Sequence, residues 1–413
     1  MEAAKDALKA KIDDFCLDTV RACILVGNLY GAEGDSNTES VFFAIAFRIA
    51  HVIKLPAANA GDNEIVREEK VRAWWSLYMV DRWSSAGLDV PRQMPDDGHI
   101  ALPLYELDFY AMEPHSNQKL VTHRKSGLWA EMVRLARDFG RIQDLHKQYA
   151  DADINTREVE RTTGELSQKL ETFVDRLPEQ FQLTEHNLRR HASKGLGRDL
   201  VALHLGYYHY ATLLHFPYLD LHLEANQNQE LYALRCRENA AALSDLLSKS
   251  WLMDGCKPVY FIVAHMITVS SSALIHGLLF GDEATISDIR RRLESNFQAL
   301  IELRSYWPAA AMMVSLMRHD RDLLKAYTTT KTDRLFTFQD MCFRSADPNT
   351  HKADKWMVKF LLQHGSPIDE KAASVSMLDD TSPTLLDRDR GRYTSDALSV
   401  LRSAQSFHNT DWV

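Results

Sequence analysis

Between Pro258 and Gly281 the chain runs for 24 residues without one Asp, Glu, Lys or Arg. Such a run has two destinations. It is long enough to span a bilayer, or it is the central helix of a large bundle, apolar all round because protein covers every side. His265, Thr268, Ser270, Ser271, Ser272 and His276 lie inside it, and side chains of this kind are costly in hydrocarbon. The bundle is the better reading. It requires the rest of the chain to supply enough helices to cover this one.

Apolar residues three and four apart recur along most of the sequence, and strand signals are scarce. Leu17, Val20 and Ile24 form a short stripe ahead of an expected turn region at Gly27 to Gly34. Phe42, Ile45, Ile49 and Val52 form the next, stopping before Pro56. Further helices are expected over about Lys125–Gln148, Arg157–Arg176, Leu200–Leu214, Leu231–Lys249 and Ile286–Leu300. Leu177-Pro178 closes the second of these, because a proline disfavours helix in the residue before it. His186 to Gly197 is polar and glycine-bearing and is expected to be a loop. The expected fold class is all-α, a large multi-helix bundle or stack in one extended domain.

Composition narrows the function. With 48 basic against 57 acidic residues the net charge is −9, the wrong sign for a chain that grips a polyanion such as DNA. Five cysteines, at 16, 23, 236, 256 and 342, are sparse and odd in number, which suits unpaired thiols in a reducing compartment. The opening MEAAKDALKAKIDDF is charged and amphipathic, unlike a secretory signal. His204, His209 and His215 are separated by five and six residues, and His265 and His276 by eleven. A helical metal pair needs about one turn between its ligands, so no metal residue is assigned. Gly195-Leu196-Gly197-Arg198 lacks the third glycine of a dinucleotide loop and the Lys-Ser/Thr of a phosphate loop. There is no Gly-x-Ser-x-Gly elbow. Asp13-Asp14 and Asp96-Asp97 are adjacent carboxylates, which diverge on a helix and suit caps or solvated faces. No catalytic or cofactor-binding residue is assigned.

One stretch stands apart. From Glu68 to Pro103 the chain reads EEKVRAWWSLYMVDRWSSAGLDVPRQMPDDGHIALP. Val71, Trp74, Trp75, Tyr78 and Arg82 share one helical face. An arginine on that face needs a partner if it is buried; the plain alternative leaves Asp81 and Arg82 at the wet end of the helix.

The order of Lys70 and Arg72, Trp74-Trp75, Tyr78, Asp81-Arg82, Ser84 to Gly87, Pro91, Asp96-Asp97 and Leu102-Pro103 resembles the signature of the fungal-specific transcription factor domain. That domain is the regulatory middle homology region of fungal zinc-cluster transcription factors. DTVRACILVGNLY, VFFAIAFRIAHVIKLP, LHLGYYHYATLLHFPYL and the Cys236, Ala240-Ala241 region resemble further landmarks of the family. Lys54-Leu55-Pro56 and Phe216 depart from it. The likeness covers roughly residues 15–325.

The resemblance implies a regulatory domain over 1–330 with Trp74, Trp75, Tyr78, Asp81, Arg82 and Pro91 as its motif core. A peripheral helical segment is expected at 331–365 and a disordered acidic tail at 366–413. The implied role is nuclear regulation of transcription, not catalysis. Implied partners are other transcription factors or co-regulators, a second copy in a homodimer, and a small-molecule effector; no membrane is implied. The family's zinc site needs a dense group of cysteines that this sequence lacks. Zinc is therefore expected only in an absent N-terminal cluster, and no sequence-specific DNA binding is expected of this chain. If an effector pocket exists, His204, Tyr208, His265 and His276 are the residues expected to line it, since a mostly apolar pocket needs a few polar groups. The alternative is a small-molecule-binding protein or enzyme that reuses the helical scaffold.

Overall fold

The computed structural model describes residues 2–88, 90–96, 98–113, 125–149, 155–219, 228–280, 282–311 and 313. Among them the protein is all-α. In chain order the helices are α1 (Glu2–Lys9), α2 (Leu17–Glu33), α3 (Ser36–Val52), α4 (Glu64–Gly87), α5 (Glu106–Tyr110) and α6 (Leu128–Tyr149). There follow α7 (Thr156–Arg176), α8 (Glu185–Ala192), α9 (Gly197–His215), α10 (Gln229–Trp251), α11 (Ile262–Phe280) and α12 (Ile286–Tyr306). The extended pairing among the described residues is an isolated antiparallel bridge between Leu104 and Ser126. Residues 331–365 and 366–413, with their expected helix and tail, lie outside the described residues. The helices gather into two compact units. Among the described residues, the first comprises those within Met1–Arg141 and Phe173–Gln182, the second those within Ile142–Thr172 and from Leu183 to residue 313.

In the first unit α2 and α3 form a helical hairpin. The expected turn at Gly27 to Gly34 is corrected here: α2 runs on through both Gly27 and Gly31 to Glu33. These glycines are contact positions. A Cβ on Gly27 would sit 2.5 Å from the Phe43 ring, and one on Gly31 would sit 2.6 Å from the Glu39 carboxylate. The helix ends only at Gly34, whose φ of 88° is the left-handed conformation that stops a helix at low cost. Asp35 then caps α3, accepting the Thr38 N–H at 3.0 Å. Phe42, Phe43, Ala46, Phe47, Ile49 and Ala50 are buried on α3, while Ile45 is half-buried and Val52 exposed. The buried face is therefore broader than the expected stripe and leaves Val52 outside it.

The second unit is built around α11. Every residue from Ile262 to Leu279 is buried. This helix is long and apolar enough to cross a membrane, and its length from Ile262 to Leu279 is covered by protein. Pro258 to Phe261 precede the helix, so it is shorter than the uncharged run. Its hydroxyls are tied across helices. Ser270 donates to the Ala240 carbonyl of α10 at 2.8 Å, and Asn296 of α12 donates to Ser271 at 3.0 Å. Ser272 and Thr268 bond back to their own helix. Two of the polar side chains that make the segment unlike a membrane span, Ser270 and Ser271, thus serve as interhelical links. The expected loop at His186 to Gly197 is also corrected. Glu185–Ala192 is α8, with Thr184 as its cap accepting the Asn187 N–H at 3.1 Å. Its buried contacts are Asn187, Leu188 and His191, too few apolar residues to print a periodic signal. Gly195 does make the turn before α9, at φ 74°. Gly197 begins that helix against the Gly255 carbonyl, where a Cβ would come within 2.6 Å.

Candidate functional site

The signature helix α4 buries Val71, Trp74, Trp75, Tyr78 and Arg82 along one face, as the spacing requires. The wet-end reading of Asp81 and Arg82 is overturned: their exposures are 1% and 2%. What they do follows from the segment after the helix. Over residues 90–96 and 98–104 the chain lies as a strap along α4, and α4 holds it by its backbone.

Three side-chain groups do the holding. Near the start of α4, Glu68 accepts the Leu104 N–H at 2.7 Å, and Arg72 donates to the Leu104 carbonyl at 2.8 Å. Arg72 and Glu68 are themselves paired at 3.1 Å. In the middle, the Trp75 indole N–H donates to the Ala101 carbonyl at 2.9 Å. Towards the end, the Asp81 carboxylate accepts the Gln93 and Met94 N–H groups at 2.9 and 3.0 Å. Arg82 donates to the Met94 carbonyl at 2.9 Å, to Asp81 at 3.0 Å and to Asp96 at 2.9 Å. Tyr78 also donates to Asp96. An acid–base pair one turn apart thus grips both backbone groups of Leu104, and an adjacent acid–base pair grips both of Met94.

Aromatic rings complete the arrangement. Trp75 and Tyr78 meet edge to face at 5.2 Å. The Arg82 guanidinium lies 3.7 Å from the Tyr78 ring centre, Arg137 of α6 lies 5.2 Å from that of Trp75, and Arg72 lies 4.3 Å from that of Phe109. Burial pushes the Asp81 carboxyl up, against the downward pull of the Gln93 and Met94 amides and of Arg82. Burial and the Asp96 carboxylate both push the Tyr78 hydroxyl up. Pro91 is exposed at the beginning of the strap. Trp75, Tyr78, Asp81 and Arg82 are therefore an internal clasp. Sequence reasoning named Trp74, Trp75, Tyr78, Asp81, Arg82 and Pro91 and missed the roles of Glu68, Arg72, Asp96 and Arg137. The one-turn spacing of Glu68 and Arg72 was a readable signal for an ion pair. The other contacts come from residues distant in sequence, as Arg137 shows.

The second unit buries many polar side chains. His204, His265 and His276 are buried, and Tyr208 is half-buried. The ring meeting His265 is that of His209, edge to face at 5.6 Å. His276 lies against Phe280, with ring centres 4.9 Å apart. Burial holds its imidazole down at about 3, helped by Arg237. His209 is likewise held well below the usual range, by burial and by His265. A third group surrounds His215, which Ser167 meets at 3.2 Å through Nε2 while Nδ1 faces the Ala211 carbonyl at 2.9 Å. Arg235 donates to Ser167 at 2.6 Å and pairs with Glu171 at 2.8 Å. Tyr232 stacks on His215 at 5.1 Å and meets Tyr218 edge to face at 4.8 Å.

A serine hydrogen-bonded to an oriented histidine is the pattern of an activated nucleophile. Here both side chains are buried, and burial lowers His215 to about 4. So weak a base takes up little proton near neutral pH, and the pair is an internal hydrogen bond. Among the described residues no group of three or more His, Cys, Asp or Glu is arranged to hold a metal ion.

Comparison with known proteins gives one relative to report. The chain is 20% identical over 297 residues to an uncharacterised transcriptional regulatory protein of the fission yeast Schizosaccharomyces pombe. The match covers 62% of this chain and 36% of that protein, so the chain spans about a third of its relative's length. No protein-family model matches the sequence. No solved structure matches it.

Proposed function

We propose that this chain is the regulatory region of a fungal transcription factor of the zinc-cluster type, and that it controls transcription through protein–protein contacts in the nucleus. The observation that carries the reading is the ordered signature on α4, in a chain whose relative is named a transcriptional regulatory protein. The all-α architecture agrees with it. So does the internal use of the motif, which accounts for its charged residues without a catalytic role. The net charge of −9 supports leaving DNA reading to another polypeptide or segment. Its partners are other transcription factors, co-regulators or a second copy of itself.

The test is a reporter assay in a fungal host, with the chain fused to a heterologous DNA-binding domain and its own localisation followed in parallel. The expected result is nuclear accumulation and a change in reporter output. A chain confined to the cytosol with no effect on the reporter would remove the proposal. A metabolite effector belongs to the same reading. Its proposed place is the α9–α11 face that carries His204, Tyr208, His265 and His276, where His209 already meets His265. Thermal-shift screening against metabolite libraries, repeated on His265→Ala, tests it. A ligand that stabilises both proteins equally would place the pocket elsewhere.

A further inference from the structure

The two ends of the strap are fastened differently. At the Leu104 end the holding carboxylate, Glu68, is 1% exposed. That end is also tied to the chain ahead of α6, through the Leu104–Ser126 bridge and the Tyr105 N–H to the Lys125 carbonyl at 3.2 Å. At the Met94 end the outermost anchor is Asp96, whose side chain is 63% exposed while Arg82, its partner, is 3% exposed. Asp81, which holds the Gln93 and Met94 amides, is as buried as Glu68, at 2% exposure; the difference lies in Asp96, for whose carboxylate water competes. Pro91, Pro95 and Pro103 remove backbone donors along the strap, so it cannot rest on a regular ladder and depends on these side chains.

We propose that the strap is a latch: its Asp96 end opens locally, from Gln93 to Asp96, while the Leu104 end and α4 stay folded. Arg82 makes the asymmetry consequential. It is a buried cation shared between Asp81 and Asp96, and a buried charge that loses a partner is strongly penalised. The closed state is therefore sensitive to anything that changes the charge at Asp96. Opening bares the Arg82 guanidinium and the Tyr78 hydroxyl, which the closed strap covers. The inference rests on the clasp geometry alone and stands whether or not the chain regulates transcription.

Amide hydrogen exchange on the full chain tests it, comparing Gln93 and Met94 with Leu104 and with the α4 amides from Leu77 to Val80. In the unmodified protein Gln93 and Met94 are expected to exchange at least about tenfold faster than Leu104. Asp96→Asn should accelerate that first pair further, by about two- to fivefold, the loss expected for an ion pair that water screens. Leu104 and α4 should be unchanged. Asp96→Glu keeps the charge and should return most of the protection. Equal protection at both ends would overturn the latch. So would an Asp96→Asn protein in which Leu104 and α4 accelerate in step with Met94, since that is unfolding of the whole unit.

Discussion

At the scale of single residues, burial sets the chemistry. Trp75 is fully buried, and its indole N–H is spent on the Ala101 carbonyl. Trp75→Ala should cost about 3–5 kcal/mol, read as a lowered midpoint in urea unfolding; an unchanged midpoint would contradict the packing described. Asp81 holds two backbone amides and pairs with Arg82. Asp81→Ala takes the buried one of that cation's two carboxylate partners, together with the acceptor of two amides, and should cost about 3–5 kcal/mol as well. The thiols divide in the same way. Burial pushes Cys23 up to about 11 and raises Cys236 further, while Cys16 is half-buried at the start of α2. Reactivity follows the thiolate, so among these three, iodoacetamide at pH 8 should label Cys16 first in the native protein.

At the scale of helices, Glu39 in the first unit and three buried histidines in the second respond to pH in opposite senses. Glu39 of α3 lies against Gly31 of α2, where burial and the neighbouring Asp35 raise its carboxyl to about 8. The folded state then binds a proton that the unfolded chain releases above about 4.5. The stability it contributes is present below that pH and is lost as pH rises through 8. Glu39→Gln should raise the melting temperature at pH 8 and leave it nearly unchanged at pH 4. In the second unit, burial holds His146 and His215 at about 4 and His276 at about 3. Each folded imidazole refuses a proton that the unfolded chain accepts below about 6.5. Stability is complete above that pH and falls by about 1.4 kcal/mol per pH unit for each histidine as the pH drops towards 4. Urea midpoints measured from pH 7 to pH 4.5 should fall steeply, and less so in His215→Gln. A flat profile in the unmodified protein would sink this account.

At the scale of the whole molecule, charge governs what the chain can hold. A protein of net charge −9 should bind duplex DNA at about micromolar affinity or weaker, without sequence preference, at physiological salt. Fluorescence anisotropy with specific and scrambled duplexes checks this, and tight selective binding would refute it. The sequence by itself determined the helical class, because apolar spacing of three and four repeats along it and one uncharged run had to be covered by the rest. It also determined the buried face of α4, since Val71, Trp74, Trp75, Tyr78 and Arg82 fall on one side of any helix they form. Tertiary structure decided what local pattern cannot carry. Gly27 and Gly31 look like turn residues until Phe43 and Glu39 are packed against them. Glu185–Ala192 looks like a loop until Leu188 and His191 have a surface to bury in. Asp81 and Arg82 look like a solvated helix end until the backbone of Gln93 and Met94 arrives to use them. In each case the deciding partner is a contact across the fold, and a polar or glycine residue takes its role from that contact rather than from its neighbours in the chain.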